Sequence, residues 1–461
     1  MKAIVFLALI ASLVVVQRRG VQEAFLKVWI PVFLTIPFAF SIDVMMIRGQ
    51  SFIRVAVLPI LVVLIRDQGH RMRMGHMEML IALYVAVRVV ADYTSRGYAD
   101  AQNYAIYMIL VLIAPYLFGR YVINGRRMDI ATARMFVLMF VFFFPFFLYE
   151  AKFWVSPFFK VLSPFFPDAF SGLSIRWGLA RTAGTFEHPI LACIMIIIAY
   201  RLNVWLRWLN YWDGEQTGFM AWFERRTRWM RLPLKHRISV LLILMALMTI
   251  SRGPWIGGFV GALIAGVGLA EKRGKRLVLV LSVLLVAGTA GKIGLDAYIT
   301  PAVGEQLSGE AQTMLYRKVM VEKYQEFLFQ HPYAGWGLTT VPKIRGMESI
   351  DNAFFLMALQ HGVPAVAVFG LIFAYAIVTQ IRFGLAAPPG EPPLGFTFSG
   401  IYLMCAIAFA TVYMGSQTEP MLFLLLGWGE GIKQRGHSAP ALQGQQAVRA
   451  GPALPFRRII H

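Results

Sequence analysis

The sequence predicts an all-α fold, a polytopic transmembrane helical bundle of about 12 to 13 spans with a long outer loop containing amphipathic helices. Three observations predict it. Hydrophobic residues make up 58% of the 461, and mean hydropathy is +0.62. Charged residues are only 15%, where a soluble domain carries about a quarter. The apolar residues also arrive in blocks of about 14 to 21, roughly the length that crosses a bilayer core.

Taken in order, apolar runs place helices near 3–16, 28–47, 52–65, 77–91, 103–119, 135–149 and 188–205. Six more follow near 238–250, 255–270, 277–292, 352–379, 396–414 and 420–432. The first run resembles the apolar part of a signal peptide. It is followed by Gln17-Arg-Arg rather than a small-residue cleavage site, so a retained short helix is expected.

The net charge of +20 invites a nucleic-acid reading, but membrane proteins carry Lys and Arg as topology signals, and no nucleic-acid partner is expected. One set of alternate loops (17–27, 66–76, 120–134, 206–237, 271–276, 380–395 and the tail from 433) holds 27 of the 44 Lys and Arg. The other set (48–51, 92–103, 150–187, 251–254, 292–350 and 415–419) holds 13. The richer set is expected in the cytoplasm and the poorer one outside. Cys193 and Cys405 fall within apolar spans and read as core thiols; no metal-ligand spacing occurs, so neither a disulfide nor a metal is expected.

The expected organisation is therefore N-terminal spans over 1–149, an outer interfacial loop over 150–187 and central spans over 188–292. A large outer loop over 293–351, C-terminal spans over 352–432 and a disordered cytoplasmic tail over 433–461 complete it. The first outer loop repeats Ser156-Pro-Phe-Phe as Ser163-Pro-Phe-Phe-Pro. In the second, Met314, Val321 and Leu328 recur at helical spacing between Glu310 and Gln330, which reads as an amphipathic helix lying over the bundle. On the inner side Trp205, Trp208, Trp212, Trp222 and Trp229 alternate with basic residues, as membrane-anchoring segments do.

Chemistry concentrates in three arginine-bearing stretches of the outer set: Arg181-Thr-Ala-Gly-Thr-Phe-Glu-His-Pro189, Ser251-Arg252-Gly253, and His331-Pro-Tyr-Ala-Gly-Trp-Gly337 followed by Asp351-Asn352. A charge at the end of an apolar span is costly unless solvated or used. Arg181, ahead of Gly184 and a helix opening near Pro189, can face a phosphate together with free backbone N–H groups, or it can anchor the helix among lipid headgroups. Arg252 lies in a tight turn that needs Gly and Pro but no arginine; snorkelling to lipid phosphate is the alternative. Arg317 offers a further phosphate contact or meets headgroups. Asp351 can take the proton of a sugar hydroxyl attacking an anomeric carbon, or simply cap the helix that follows. His188, His331 and His361 are nearby titratable groups that can equally be structural, and Glu187 can pair with Arg181.

These motifs resemble the O-antigen ligase and O-antigen polymerase family of bacterial membrane glycosyltransferases. The resemblance rests on Arg181 before its Gly-Thr-Phe turn, the Ser-Arg-Gly hairpin at Arg252, Arg317 ahead of His331-Pro-x-x-Gly-x-Gly337, and Asp351-Asn-Ala-Phe-Phe-Leu-Met-Ala-Leu-Gln-His-Gly362. It is specific over roughly 180–365. It departs at Asp351, where the family pattern has histidine, a change compatible with a polymerase or exopolysaccharide branch. The resemblance implies an inverting, metal-independent enzyme of the inner membrane, facing the periplasm and needing no cofactor. It would move glycan from undecaprenyl diphosphate to an acceptor glycan, lipid or protein. Arg181, Arg252 and Arg317 would hold the diphosphate and Asp351 would act as base, with His188, His331 and Asn352 in support. The alternative is a transporter or flippase of a lipid-linked glycan, which predicts internal repeats and helices broken near the midplane.

Overall fold

The structure, a computed structural model, describes residues 2–44, 47–167, 172, 174–299, 309–347, 349–388, 390 and 394–436. It is mostly helical. Helix α1 (Phe6–Arg19) packs on α3 (Phe52–Gln68), where Ser12 Oγ donates to the Ala56 carbonyl at 2.8 Å. Between them, α2 spans 21–35, and a hairpin pairs β1 (Ser41–Val44) with β2 (Ile47–Ser51). The span expected at 28–47 is thus displaced. The helix starts seven residues earlier and stops at Thr35, because Pro37 holds Ile36 extended at φ −101°, ψ 120°. An averaged hydropathy cannot tell the apolar strand that follows from more helix.

The chain continues through α4 (His76–Arg96), α5 (Tyr98–Val122) and α6 (Arg126–Phe153). Then come α7 (Pro157–Leu162), a short hairpin of β3 (Ile175–Arg176) and β4 (Leu179–Ala180), α8 (Pro189–Trp208), α9 (Phe219–Arg226) and α10 (Leu234–Met248). The last six helices are α11 (Arg252–Val267), α12 (Arg273–Ile299), α13 (Gly309–Gln330), α14 (Ala353–Leu385), α15 (Leu394–Phe409) and α16 (Thr418–Arg435). Among the described residues five stretches are long and apolar enough to cross a bilayer: α5, α6, α8, Arg273–Gly294 and α14. Of the other expected spans, α4 and α16 are long enough but carry more charge, and the rest form shorter helices.

The Ser-Pro-Phe-Phe echo packs inward. Phe159 and Phe166 lie 5.4 and 5.1 Å from the Phe40 ring. Helices α11 and α15 cross so closely at Gly261 and Gly400 that a Cβ on either would strike the other's carbonyl oxygen. Helix α13 forms where expected, but its buried face is Met320 and Tyr324, with Val321 and Leu328 only flanking it. The tryptophans of residues 205–229 divide: Trp205 and Trp212 are buried, whereas Trp222 and Trp229 are exposed. Helix α12 leans on α11 and α13, and its surface from Leu285 to Gly294 is bare. The tail from 437 lies outside the described residues.

One feature of α14 shapes the site. At Gly362, φ is +81° and the helix breaks. The upper end of the bundle carries Arg181, Ser251, Thr411 and the start of α14.

Candidate functional site

The β3–β4 hairpin delivers Arg181. Its turn, Trp177 at φ 55° and Gly178 at φ 74°, has the left-handed pair that matches the twist of a two-residue hairpin. The Arg181 guanidinium is buried and donates to the Thr249 carbonyl at 3.0 Å, Ser251 Oγ at 2.9 Å and Ser174 Oγ at 3.2 Å. The Thr182 N–H donates to the Met248 carbonyl at 3.2 Å. Residues about 70 apart are thereby tied together, and Arg252 opens α11 immediately beyond the knot. Its guanidinium sits 4.8 Å from the Trp177 ring, a cation–π contact. Two of the three predicted arginine stretches thus share one hairpin. Burial, helped by the Arg176 charge, lowers the Arg181 pKa to about 10, which leaves it cationic at neutral pH.

The turn after Arg181 departs from expectation in one respect. The N–H groups of Ala183 and Gly184, within the stretch read as able to offer free amides to a phosphate, donate to Glu150 Oε1 at 2.9 Å and Oε2 at 2.8 Å. Ser156 Oγ donates to the Gly184 carbonyl at 2.8 Å, and Thr185 Oγ1 to the Leu34 carbonyl at 2.7 Å. Gly184 has φ +63°, and the Phe147 ring occupies the place of a Cβ. A cavity of about 30 Å³, room for roughly one water, is bounded by Glu150, Arg181, Gly184, Phe186 and Glu187. Sequence reasoning missed Glu150; a carboxylate at the end of a Phe-rich span was the available signal. Glu187 makes no ion pair with Arg181 and lies instead against Gly415, where a Cβ would come within 3.3 Å of its Oε2.

The loop from α15 to α16, residues 410–417, gathers the remaining parts. Arg317 donates to the Thr411 carbonyl at 3.1 Å, and the Thr411 side chain fills the space a Cβ on Gly253 would need, one residue from Arg252. Tyr413 meets His188 edge to face at 6.4 Å. His188 caps α8: its Nδ1 accepts the Ile190 N–H at 3.2 Å, which places the proton of the neutral ring on Nε2. Burial, followed by the Arg181 charge, lowers the His188 pKa to about 4, with Asp351 acting in the opposite sense. The Tyr413 phenol is raised by burial and by the Glu187 and Asp351 carboxylates. Arg181, Glu187, His188, Asp351 and Tyr413 therefore form one overlapping electrostatic neighbourhood. Ser349 Oγ donates to Asp351 Oδ1 at 2.5 Å. The cap of α14 is Asn352, whose Oδ1 accepts the Phe355 N–H at 3.0 Å, so Asp351 is not spent on capping.

The third stretch does different work. Trp336 and Gly337 donate their N–H groups to the carbonyls of Leu359 and Gln360 at 2.8 and 2.9 Å, and Val363 donates to the Pro332 carbonyl at 2.8 Å. This segment satisfies the backbone groups freed by the break at Gly362. His331 is exposed and packs edge-on against Trp336 at 4.3 Å, and no described contact joins it to the arginines. Next to the break lies a buried polar group that sequence reasoning largely missed. Arg88 pairs with Glu419 at 2.6 Å and donates to Tyr84 Oη at 2.8 Å; Tyr107 donates to Glu419 at 3.2 Å, and Tyr104 Oη meets His361 Nε2 at 3.2 Å. Since Glu419 begins α16, this pair fixes one end of the 410–417 loop.

Residues 238–370 match the O-antigen ligase family. The match contains Arg252, Arg317, His331 and Asp351, while Arg181 lies upstream and is tied to it by the bonds to Thr249 and Ser251. No curated protein matches the chain.

Proposed function

We propose that this chain, which matches the O-antigen ligase family over residues 238–370 and carries helices long and apolar enough to cross a membrane, transfers or polymerises glycan from an undecaprenyl-diphosphate-linked donor. The site would lie on the periplasmic face of the inner membrane. In this reading the acceptor hydroxyl oxygen attacks the anomeric carbon from the side opposite the phosphate. The carbon–oxygen bond to the diphosphate breaks, the hydroxyl proton passes to Asp351, and a single displacement inverts the centre. Undecaprenyl diphosphate leaves with its negative charge held by Arg181 and Arg252, assisted by Arg317. Fixed cations aimed at charge that develops in the transition state are the largest contribution such a site can make. The neutral His188 offers its Nε2–H as a further donor; His331 and Asn352 support the site indirectly, through the α14 break and cap.

The observation that carries the reading is the bonding of Arg181 to Ser251 and Thr249, which seats it beside Arg252. The rival, passage of a lipid-linked glycan, would be favoured by a helix broken at mid-membrane. Segment 363–385 alone reaches about 34 Å, enough to cross a bilayer, which supports reading the break at Gly362 as lying near one surface and not at mid-membrane. The test is transfer by the full chain in proteoliposomes. Arg181→Ala, Arg252→Ala and Asp351→Asn are each expected to lower turnover by about 100-fold or more. Retained turnover in all three would remove the reading; donor translocation without a new glycosidic bond would favour the rival.

A further inference from the structure

Glu150 is a buried carboxylate whose two oxygens are committed to two adjacent amides, Ala183 and Gly184. Among the described residues no ion pair involves it. Burying a lone carboxylate is costly, and a neutral or apolar contact would hold a loop with less desolvation. What the carboxylate supplies instead is geometry. Two charge-assisted bonds to successive N–H groups fix both the position and the rotation of a peptide turn.

That turn governs Arg181. It is gripped by Ser156 at the Gly184 carbonyl, by Phe147 beneath Gly184, and by Thr185 on Leu34. Glu150 is the charged contact among these. Two residues before Ala183, the Arg181 guanidinium must reach Thr249, Ser251 and Ser174 together, and it borders the same small cavity as Glu150. A rotation of the turn would move the guanidinium away from all three. The carboxylate also occupies the two amides that would otherwise attract a phosphate, so an incoming diphosphate meets the arginine side chain.

We infer that Glu150 is a positioning residue for glycan transfer: it locks the turn that presents the Arg181 guanidinium to the donor diphosphate. The assignment rests on the function proposed above and deepens it. The two are separated by reading activity and local structure independently in the full chain.

With a polyprenyl-diphosphate-linked oligosaccharide as donor, Glu150→Ala and Glu150→Gln are expected to lower kcat over KM by up to ~100-fold, the cost of displacing a reacting group by about an ångström. The Gln variant keeps one acceptor and sets an NH2 against the other amide. Glu150→Asp, which retains both oxygens, is expected to recover part of the activity. Because Glu150 acts through Arg181, adding Glu150→Ala to Arg181→Ala is expected to cost nothing further. A cysteine introduced by Ala183→Cys should react severalfold faster with a membrane-impermeant maleimide when Glu150→Ala is also present. Wild-type transfer by Glu150→Ala, or losses that multiply in the double variant, would overturn the assignment. So would an unchanged labelling rate, or a loss that tracks a fall in Tm and is not recovered by the Asp variant. If the wild type forms no glycosidic bond while labelling still accelerates, the proposed function falls and Glu150 remains the lock of the Arg181 turn.

Discussion

His188 combines two properties in one ring: it caps α8 through Nδ1, and it lies close enough to Arg181 for that charge to resist its protonation. Its pKa falls from the ordinary 6.5 to about 4, burial first and Arg181 second. In that window the unfolded chain binds a proton that the folded chain refuses, so stability declines as pH drops from 6.5 towards 4. His188→Asn keeps a capping oxygen and has no proton to gain. Its thermal midpoint should fall less than the wild type's over the same acid range; an identical slope would show that His188 does not report on Arg181. The arginines of the site were legible in the sequence because a cation at the end of an apolar span is conspicuous. Glu150 carried the same kind of signal, a charge at the end of a Phe-rich span, but no motif around it pointed to the turn at 183–184 that it holds. The 410–417 loop was missed for the opposite reason: Thr411 and Tyr413 act by position and carry no charge that patterning detects.

Among the elements, α14 shows where hydropathy reading stops. The helix was legible from its apolar length; the break at Gly362 was not, because glycine is common in membrane helices and only the fold reveals its φ of +81°. Gly362→Ala would place a Cβ against the Tyr333 carbonyl in a left-handed backbone region. A cost of roughly 1–3 kcal/mol is expected, read as a lower Tm, together with weaker transfer as the clamp by 332–337 loosens and Asp351 shifts. A Tm and turnover equal to the wild type's would mean that the helix tolerates straightening. The hairpin at 41–51 teaches the same lesson from the other side. Pro37 marked the end of the preceding helix plainly, and the apolar content of Phe38 to Ile42 concealed it.

At the scale of the whole molecule, the charge asymmetry of the loops makes a sidedness prediction. Tyr333 is 81% exposed at the upper end and Trp229 is 78% exposed in the Lys- and Arg-rich loop set, while the native Cys193 and Cys405 are buried. A cysteine from Tyr333→Cys should therefore react with an impermeant thiol reagent in intact spheroplasts, and one from Trp229→Cys only after the membrane is opened. The reverse pattern would invert the orientation and place the arginines in the cytoplasm. Helix α12 adds a mechanical corollary. Its lower part packs through Leu277, Val280 and Leu284, whereas the stretch from Leu285 to Gly294 is bare, so that stretch acts as a strut whose length matters more than its side chains. Exchanging residues 285–294 for an unrelated alkyl-rich sequence of equal length should leave turnover intact. Deleting a single turn shortens the strut by about 5 Å and, through its packing on α13, is expected to pull Arg317 off Thr411, so that a remote edit in greasy sequence silences a polar centre it never touches.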